Sequence, residues 1–335
     1  MKTNKLPQEI YKASIDFGLL SSNQKYISKK ITDGVSSDIW YVKTTNKQYC
    51  IKRALAKLTV KEDWYAPIDR NNYEVKYFTH CQAIQPYSFP KILGHDSKNF
   101  ILAMEWFDNK KFIVWKKKLL EKSVSFKDGK RIGKLLSLVH KSFYKKKKYE
   151  KIFLNDKTFY DIRIEPYLIF TSKFYPEFYE SYKKTINFLT KNKSTVIHGD
   201  FSPKNILLGK NYPVILDAET ACWGNPAFDI AFFNNHIILK SIFNRKVFKS
   251  YLNLSNHFLK TYLASFSVVN NSNFISKFIT LQALLILARV DGKSPVEYFK
   301  KQHKTLARSL AKNLLFNKSK NLNNFYKEWE KVVKT

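Results

Sequence analysis

Two apolar periodicities share this chain, and the place where one gives way to the other limits the fold more than any other feature. From Tyr26 to Ile51 the runs YISKKIT, IWYVKT and QYCIKRAL read as β-strands, separated by turn-forming segments at 33–37 and 45–47. That spacing makes an antiparallel meander. RNNYEVKYFTHC then carries Tyr73, Tyr77, Phe78 and Cys81 at helical spacing, with Asp69 or Asn71 as the expected cap. Two more short strands flank a turn at His95-Asp96-Ser97 and end near Met104 to Phe107. Beyond them the period is helical. Ile132, Leu135, Leu136, Val139 and Phe143 share one face, and segments around 178–190, 245–264, 274–289, 303–315 and 322–333 behave alike. A small antiparallel sheet with one helix, followed by a larger, mainly helical body, is an α+β arrangement. It predicts two lobes, residues 1–106 and 107–335, in keeping with a prior of roughly 150 residues per domain. No internal repeat and no Gly/Ser- or Pro-rich linker divides the chain.

The formal net charge of +32 invites a nucleic-acid or anionic-membrane reading. The excess is nearly all Lys, spread from end to end, and Arg occurs only at 53, 70, 131, 163, 245, 289 and 308. Arg is the residue of bidentate phosphate and base contacts, so its scarcity argues against a dedicated nucleic-acid surface. Lys, Asn, Ile, Phe and Tyr also share AT-rich codons, and runs such as Lys145 to Lys148 read as solvated surface. Cys50, Cys81 and Cys222 are too few and too scattered for a disulfide framework or a CxxC zinc site. The opening MKTNKLPQEIYKAS lacks the apolar core of a signal peptide, and no stretch reads as the ~18 to 20 apolar residues that span a bilayer. The expectation is a cytoplasmic monomer or homodimer with no membrane and no specific nucleic-acid partner.

One segment of the helical part breaks its period. Between Ser194 and Ala218 the pieces TVIHGD, NILLG and PVILDAE are β-type and joined by loops, a setting in which functional side chains are often held. His198-Gly199-Asp200 is followed by Asn205 five residues beyond the Asp and by Asp217 seventeen beyond it. Either Asp alone would pass for a turn cap or a strand end. Together they match phosphoryl transfer, which needs a carboxylate at the attacking hydroxyl and hard oxygen ligands for magnesium. Asp200 suits the first task, and Asn205 with Asp217 the second.

HGDFSPKNILL with ILDAETACWGNPAFDIA resembles the aminoglycoside phosphotransferase and choline kinase superfamily, which has the protein-kinase-like fold, and the likeness covers nearly the whole chain. It implies transfer of the ATP γ-phosphate, with Mg2+, to a hydroxyl of a sugar, amino alcohol or aminoglycoside-like molecule. The resemblance places Asp217 where protein kinases have the Asp of DFG, and a phosphate-binding Lys at Lys52 of YCIKRAL, paired with Glu74 on the following helix. ITDGVSSDIW resembles the family's phosphate-covering loop, with Gly34, Ser36 and Ser37 approaching phosphate oxygens. Glu105 and Trp106 fall at the hinge that offers backbone groups to adenine. Asp229 should begin a helix and brace the catalytic loop, and His198 should support that loop by hydrogen bonding. ALAKLTVKEDWYAPIDRNNYE is similar to the strand-to-helix link of 5-methylthioribose kinases, and DGVSSDIWYV to their phosphate loop.

FYDIRIEPYL and LARVDGKSPVEYF place Arg163, Glu165, Arg289 and Asp291 beside apolar runs. Charges so placed either pair with one another in a buried network or face a ligand, here the acceptor. A kinase-like module that holds nucleotide without turnover is the alternative function. The set of Lys52, Glu74, Asp200, Asn205 and Asp217 argues against it, because such a module has no chemical need for all five.

Overall fold

The structure, a computed structural model, describes residues 5–32, 37–57, 66–317 and 320–334. Helix α1 (Gln8–Asp16) precedes strands β1 (Ile27–Ile31), β2 (Ser37–Lys43) and β3 (Gln48–Ala54), helix α2 (Arg70–Gln82), and strands β4 (Ile92–Asp96) and β5 (Ile101–Glu105). The strands form one antiparallel sheet in the order β1-β2-β3-β5-β4. Alternation along β3 divides its side chains between two faces. Tyr49 and Ile51 enter a small core with Trp40, Val42 and, from α1 and the residues before it, Ile10, Ala13 and Leu6. Cys50 and Lys52 therefore face the other way, toward α2 and the rest of the molecule. Lys52 sits mid-sheet, opposite Ile39 on β2 and Leu102 on β5.

Asp69 does precede α2, but its backbone is already helical and its side chain makes no capping bond, while Asn71 lies inside the helix. Arg70, the first residue of the helix, instead ties the segment before it. Its guanidinium donates to the carbonyls of Leu55 and Pro67.

The helical part begins with β6 (Phe112–Val114), α3 (Trp115–Leu120), α4 (Phe126–Phe143), α5 (Lys147–Ile152) and α6 (Asp156–Phe159). A π-helical stretch, Tyr160–Ile169, carries Pro166 within it and runs into α7 (Phe170–Ser172), with α8 (Tyr179–Lys191) following. Next come the four short strands β7 (Thr195–Ile197), β8 (Ile206–Gly209), β9 (Pro213–Ile215) and β10 (Cys222–Gly224). They make two small sheets, β6-β8-β9 and β10-β7. Helices α9 (Ala227–Phe243), α10 (Phe248–Ser265), α11 (Ser272–Asp291), α12 (Lys301–Phe316) and α13 (Leu322–Lys334) complete the chain.

Ile132, Leu135, Leu136, Val139 and Phe143 are all buried on α4, as their spacing predicts. One expectation needs amending. Helix α11 is long and apolar enough to cross a bilayer by length and composition, but 67% of its apolar window is buried inside the fold. Its neighbour α9 is tied to it through Asn234, which donates to Gln282 at 2.9 Å, and Asn235, which donates to the carbonyl of Leu285 at 3.2 Å. These bonds satisfy polar groups that burial would otherwise penalise.

Candidate active site

Lys52 brings the sheet, α2 and the segment after β9 to one point. Its ammonium lies 2.5 Å from Glu74 and 3.1 Å from Asp217. Burial opposes the Lys52 charge, but Glu74, Asp217 and Glu219 outweigh it and raise the pKa above the usual lysine range. Burial pushes the Glu74 carboxyl up, with Lys52 acting against that rise. For Asp217, burial is overcome by Lys52 and Lys204, which hold the carboxyl well below its ordinary value. Asp217 also takes a left-handed backbone, φ 63°, which Asp tolerates better than bulkier residues do.

Two residues beyond it, Glu219 accepts from Arg70 Nε at 3.0 Å. Arg70 is fully buried, so this is a second ionic link from α2 to the same loop. Asn155 donates to the carbonyls of Glu219 and Ala221, and Thr220 Oγ1 to the carbonyl of His198. Residues 217–221 are thus anchored from the sheet, from α2, from the loop before α6 and from the loop after β7.

That last loop is built around a buried carboxylate. Asp229, in the first turn of α9, accepts the backbone N–H groups of His198 at 2.7 Å and Gly199 at 2.9 Å. The helix N-terminus favours a negative charge there. His140 Nε2 lies 3.2 Å from the same carboxylate, and His140 Nδ1 2.7 Å from the Tyr262 hydroxyl. Gly199 has φ 73°, and a Cβ on it would stand 2.6 Å from the Thr220 carbonyl, so the turn requires glycine. His198 Nδ1 accepts the Asp200 N–H at 3.1 Å, which puts its proton on Nε2, the atom 3.0 Å from the Leu216 carbonyl. Burial lowers the His198 pKa and keeps the ring neutral. Its bonds are those of a loop support.

Asp200 follows, and its carboxylate is held from three sides. Arg163 reaches Oδ1 at 3.1 Å, and Lys204 and the Asn205 amide reach Oδ2, both at 2.9 Å. Asn205 Nδ2 also donates to the Asp200 carbonyl, which leaves the side-chain oxygen of Asn205 without a hydrogen bond among the described residues. Arg163 donates from Nε to the Gly199 carbonyl at 2.6 Å and lies over Phe232 at 5.3 Å. Burial disfavours both cations, but Asp200 raises the pKa of each.

Lys52, Glu74 and Asp217 form one ion-paired set and Asp200 with Asn205 another, and the two are joined where the Leu216 N–H donates to the Asn205 carbonyl at 2.9 Å, with His198 and Asp229 supporting the loop. Gly34 and Ser36 lie outside the described residues. Ser37 opens β2 and is buried opposite Ala54. Glu105 ends β5 with its N–H already bonded to the Lys91 carbonyl, and Trp106 packs its ring 4.5 Å from that of Tyr41.

The four charges expected to form a buried network or to face a ligand do not pair with one another. Glu165 meets Lys293 at 2.8 Å, Asp291 meets Arg308 at 2.6 Å and Tyr175 at 2.5 Å, and Arg289 bonds Ser294. Arg163 and Glu165, two apart on a helix, face different sides. Only Arg163 reaches Asp200. Sequence reasoning missed Arg70, Lys204, Asn155, His140 and Tyr262. For Arg70 a signal existed, since in a chain so poor in Arg one placed at a helix start is informative.

The fold is that of the protein-kinase-like phosphotransferases. A model of the phosphotransferase enzyme family, APH, matches residues 28–239, and the chain belongs to that family. Methylthioribose kinase from Bacillus cereus is 25% identical over an alignment of 260 residues that covers 68% of this chain and 64% of that protein. The match thus spans less than two-thirds of the relative's length. A choline/ethanolamine kinase family protein from Mesorhizobium loti superposes with a TM-score of 0.55 at 10% identity, covering 98% of this chain and 99% of the other. An ethanolamine kinase from Plasmodium vivax gives 0.55 at 13% identity, covering 100% and 91%.

Proposed function

We propose that this chain is an ATP- and Mg2+-dependent small-molecule kinase, with Asp200 as the group that receives the acceptor hydroxyl. One observation carries the reading: Asp200 is fixed by Arg163, Lys204 and Asn205 beside Asp217, which is itself ion-paired to Lys52. In the reaction the acceptor oxygen bonds to the γ-phosphorus, the bond from that phosphorus to the bridging oxygen breaks, ADP leaves, and the hydroxyl proton passes to Asp200. Lys52 would bind the phosphates, and Glu74 would hold its ammonium in place. Residues 1–106 would then be the nucleotide lobe, with Gly34, Ser36 and Ser37 over the phosphates and Glu105 and Trp106 beside the adenine, and 107–335 the acceptor lobe.

The donor set suits magnesium. The free amide oxygen of Asn205 and the Asp217 carboxylate are hard ligands, and Mg2+ usually takes one or two protein oxygens, with phosphate and water completing its shell. When bound, the ion would neutralise phosphate charge. Neither nucleic acid nor a membrane enters this reading, and a cytoplasmic location accords with its need for ATP.

The acceptor is a small hydroxyl compound. A methylthioribose-like sugar is a second, narrower reading, favoured by the Bacillus cereus relative. ADP release over a panel of sugars, sugar acids, sugar phosphates, amino alcohols and aminoglycosides tests both. Asp200→Ala should lower turnover by roughly 10²–10⁴-fold while ATP still binds, and Asp217→Ala should abolish transfer. Full activity in either variant would overturn the proposal.

A further inference from the structure

The wall behind Asp200 is cationic, and among the described residues part of its charge meets no carboxylate, Lys240 lying instead over the face of the Tyr298 ring at 5.8 Å. Arg163 leans on Phe232 of α9, and the His236 ring lies 5.3 Å from Phe232 one turn further on. Another turn along the same helix is Lys240, and Arg289, in the last turn of α11, lies near enough to act on the charge of Lys240 and, with Arg163 and Asp200, on Tyr167. Asp200 compensates Arg163 and Lys204. Lys240 and Arg289 differ from them.

Lys240 is 1% exposed, and its ammonium, with three protons to donate, makes one long hydrogen bond of 3.5 Å to the His236 carbonyl. Arg289 bonds Ser294, but its buried Nε has no partner. Among the described residues no carboxylate lies within ion-pair distance of either side chain. The nearby acids are engaged elsewhere, Glu165 by Lys293 and Asp291 by Arg308. Burial, Lys116 and Arg289 together pull the Lys240 pKa down to about 7. Burial and the same cations, with Lys240 itself, keep His236 uncharged. A buried ammonium without a carboxylate, beside a half-buried guanidinium whose Nε has no partner, is costly to a fold and marks a candidate site for an anionic ligand.

We infer that the acceptor carries an anionic group, a carboxylate or a phosphate, bound by Lys240 and Arg289 while its hydroxyl lies at Asp200. This rests on the kinase reading and gives it a substrate class: hydroxy acids or phosphorylated polyols. A cationic amino alcohol or aminoglycoside would meet repulsion from the same wall.

The test is calorimetric titration of inorganic phosphate, and separately of acetate, into protein saturated with Mg2+ and a non-hydrolysable ATP analogue, so that the nucleotide sites are filled. At least one anion should bind. Lys240→Met and Arg289→Met should each weaken it by about tenfold or more, Lys240→Arg should restore much of the loss, and the exposed control Lys98→Met should change nothing. Binding of phosphate alone or of acetate alone identifies the group. No anion binding by the wild-type protein, or equal binding by both Met variants with circular dichroism showing them folded, overturns the inference. So does a kcat/KM for neutral methylthioribose at least equal to that for every sugar acid and sugar phosphate. The kinase reading fails on a different result, full transfer activity in Asp200→Ala.

Discussion

Replacing Asp229 with Ala removes the acceptor on which the catalytic loop hangs. Two backbone N–H groups, those of His198 and Gly199, lose a partner at 2.7 and 2.9 Å, and His140 loses one at 3.2 Å. Asp229 is fully buried, so water does not replace it. Each orphaned buried donor costs ~1–3 kcal/mol, which gives roughly 2–6 kcal/mol for the two amides alone. Against a typical stability of ~5–15 kcal/mol this is a large fraction. Asp229→Asn keeps the shape and one acceptor oxygen, so about half the loss is expected from it. Urea unfolding followed by far-UV circular dichroism would read both variants, with phosphoryl transfer measured beside it under conditions where the chain stays folded. The midpoint should fall in the order wild type, Asn, Ala, and transfer should fall with it, because Gly199 and Asp200 move with the loop. A midpoint for Asp229→Ala equal to that of the wild type would refute the bracing role.

Gly199→Ala should destabilise by ~1–2 kcal/mol from the left-handed backbone alone, and further because its Cβ would lie 2.6 Å from the Thr220 carbonyl; unchanged urea midpoint and unchanged transfer would contradict this. Lys240, faced by His236, Lys116, Arg289 and Tyr298, has its pKa lowered from 10.5 to about 7 by burial and the neighbouring cations. Between those values the unfolded chain binds the extra proton, so wild-type stability should gain on that of Lys240→Met as pH rises from 7 toward 10, with a constant difference below 7. Parallel stability-versus-pH curves for the two proteins would count against the buried lysine.

The parts of this molecule that local pattern dictates were legible in its sequence. Alternation along QYCIKRA puts Lys52 opposite the small core, and the helical spacing of Tyr73, Tyr77 and Phe78 carries Glu74 to it. The strands on either side of HGD were legible for the same reason. What escaped depends on distant neighbours. The partner of Glu165 is Lys293 and that of Arg70 is Glu219, and no local period reports such pairings. β10 is three residues long and exists through its pairing with β7. Arg163 reaches Asp200 from the π-helical stretch Tyr160–Ile169, a register that composition does not reveal. Gln282 interrupts the apolar run of α11 in the sequence, yet in the fold it is buried and accepts a hydrogen bond from Asn234.

The segment 217–221 gives these pieces a common logic. Alternate residues of one short loop take opposite duties. Asp217 and Glu219 reach Lys52 and Arg70, cations of the sheet and of α2, while Thr220 bonds the carbonyl of His198 in the catalytic loop. The spacing of Lys52 and Asp200, which the proposed reaction would place at the phosphates and at the acceptor, is therefore set by a few bonded residues, where packing of the larger elements alone would leave more freedom. Phosphoryl transfer depends mainly on such positioning. It follows that the Arg70–Glu219 pair, remote from any reacting atom, belongs to the positioning apparatus. A ligand that engages Lys240 and Arg289 would then complete the charge on the acceptor side without disturbing the side already fixed by Lys52, Glu74 and Asp217.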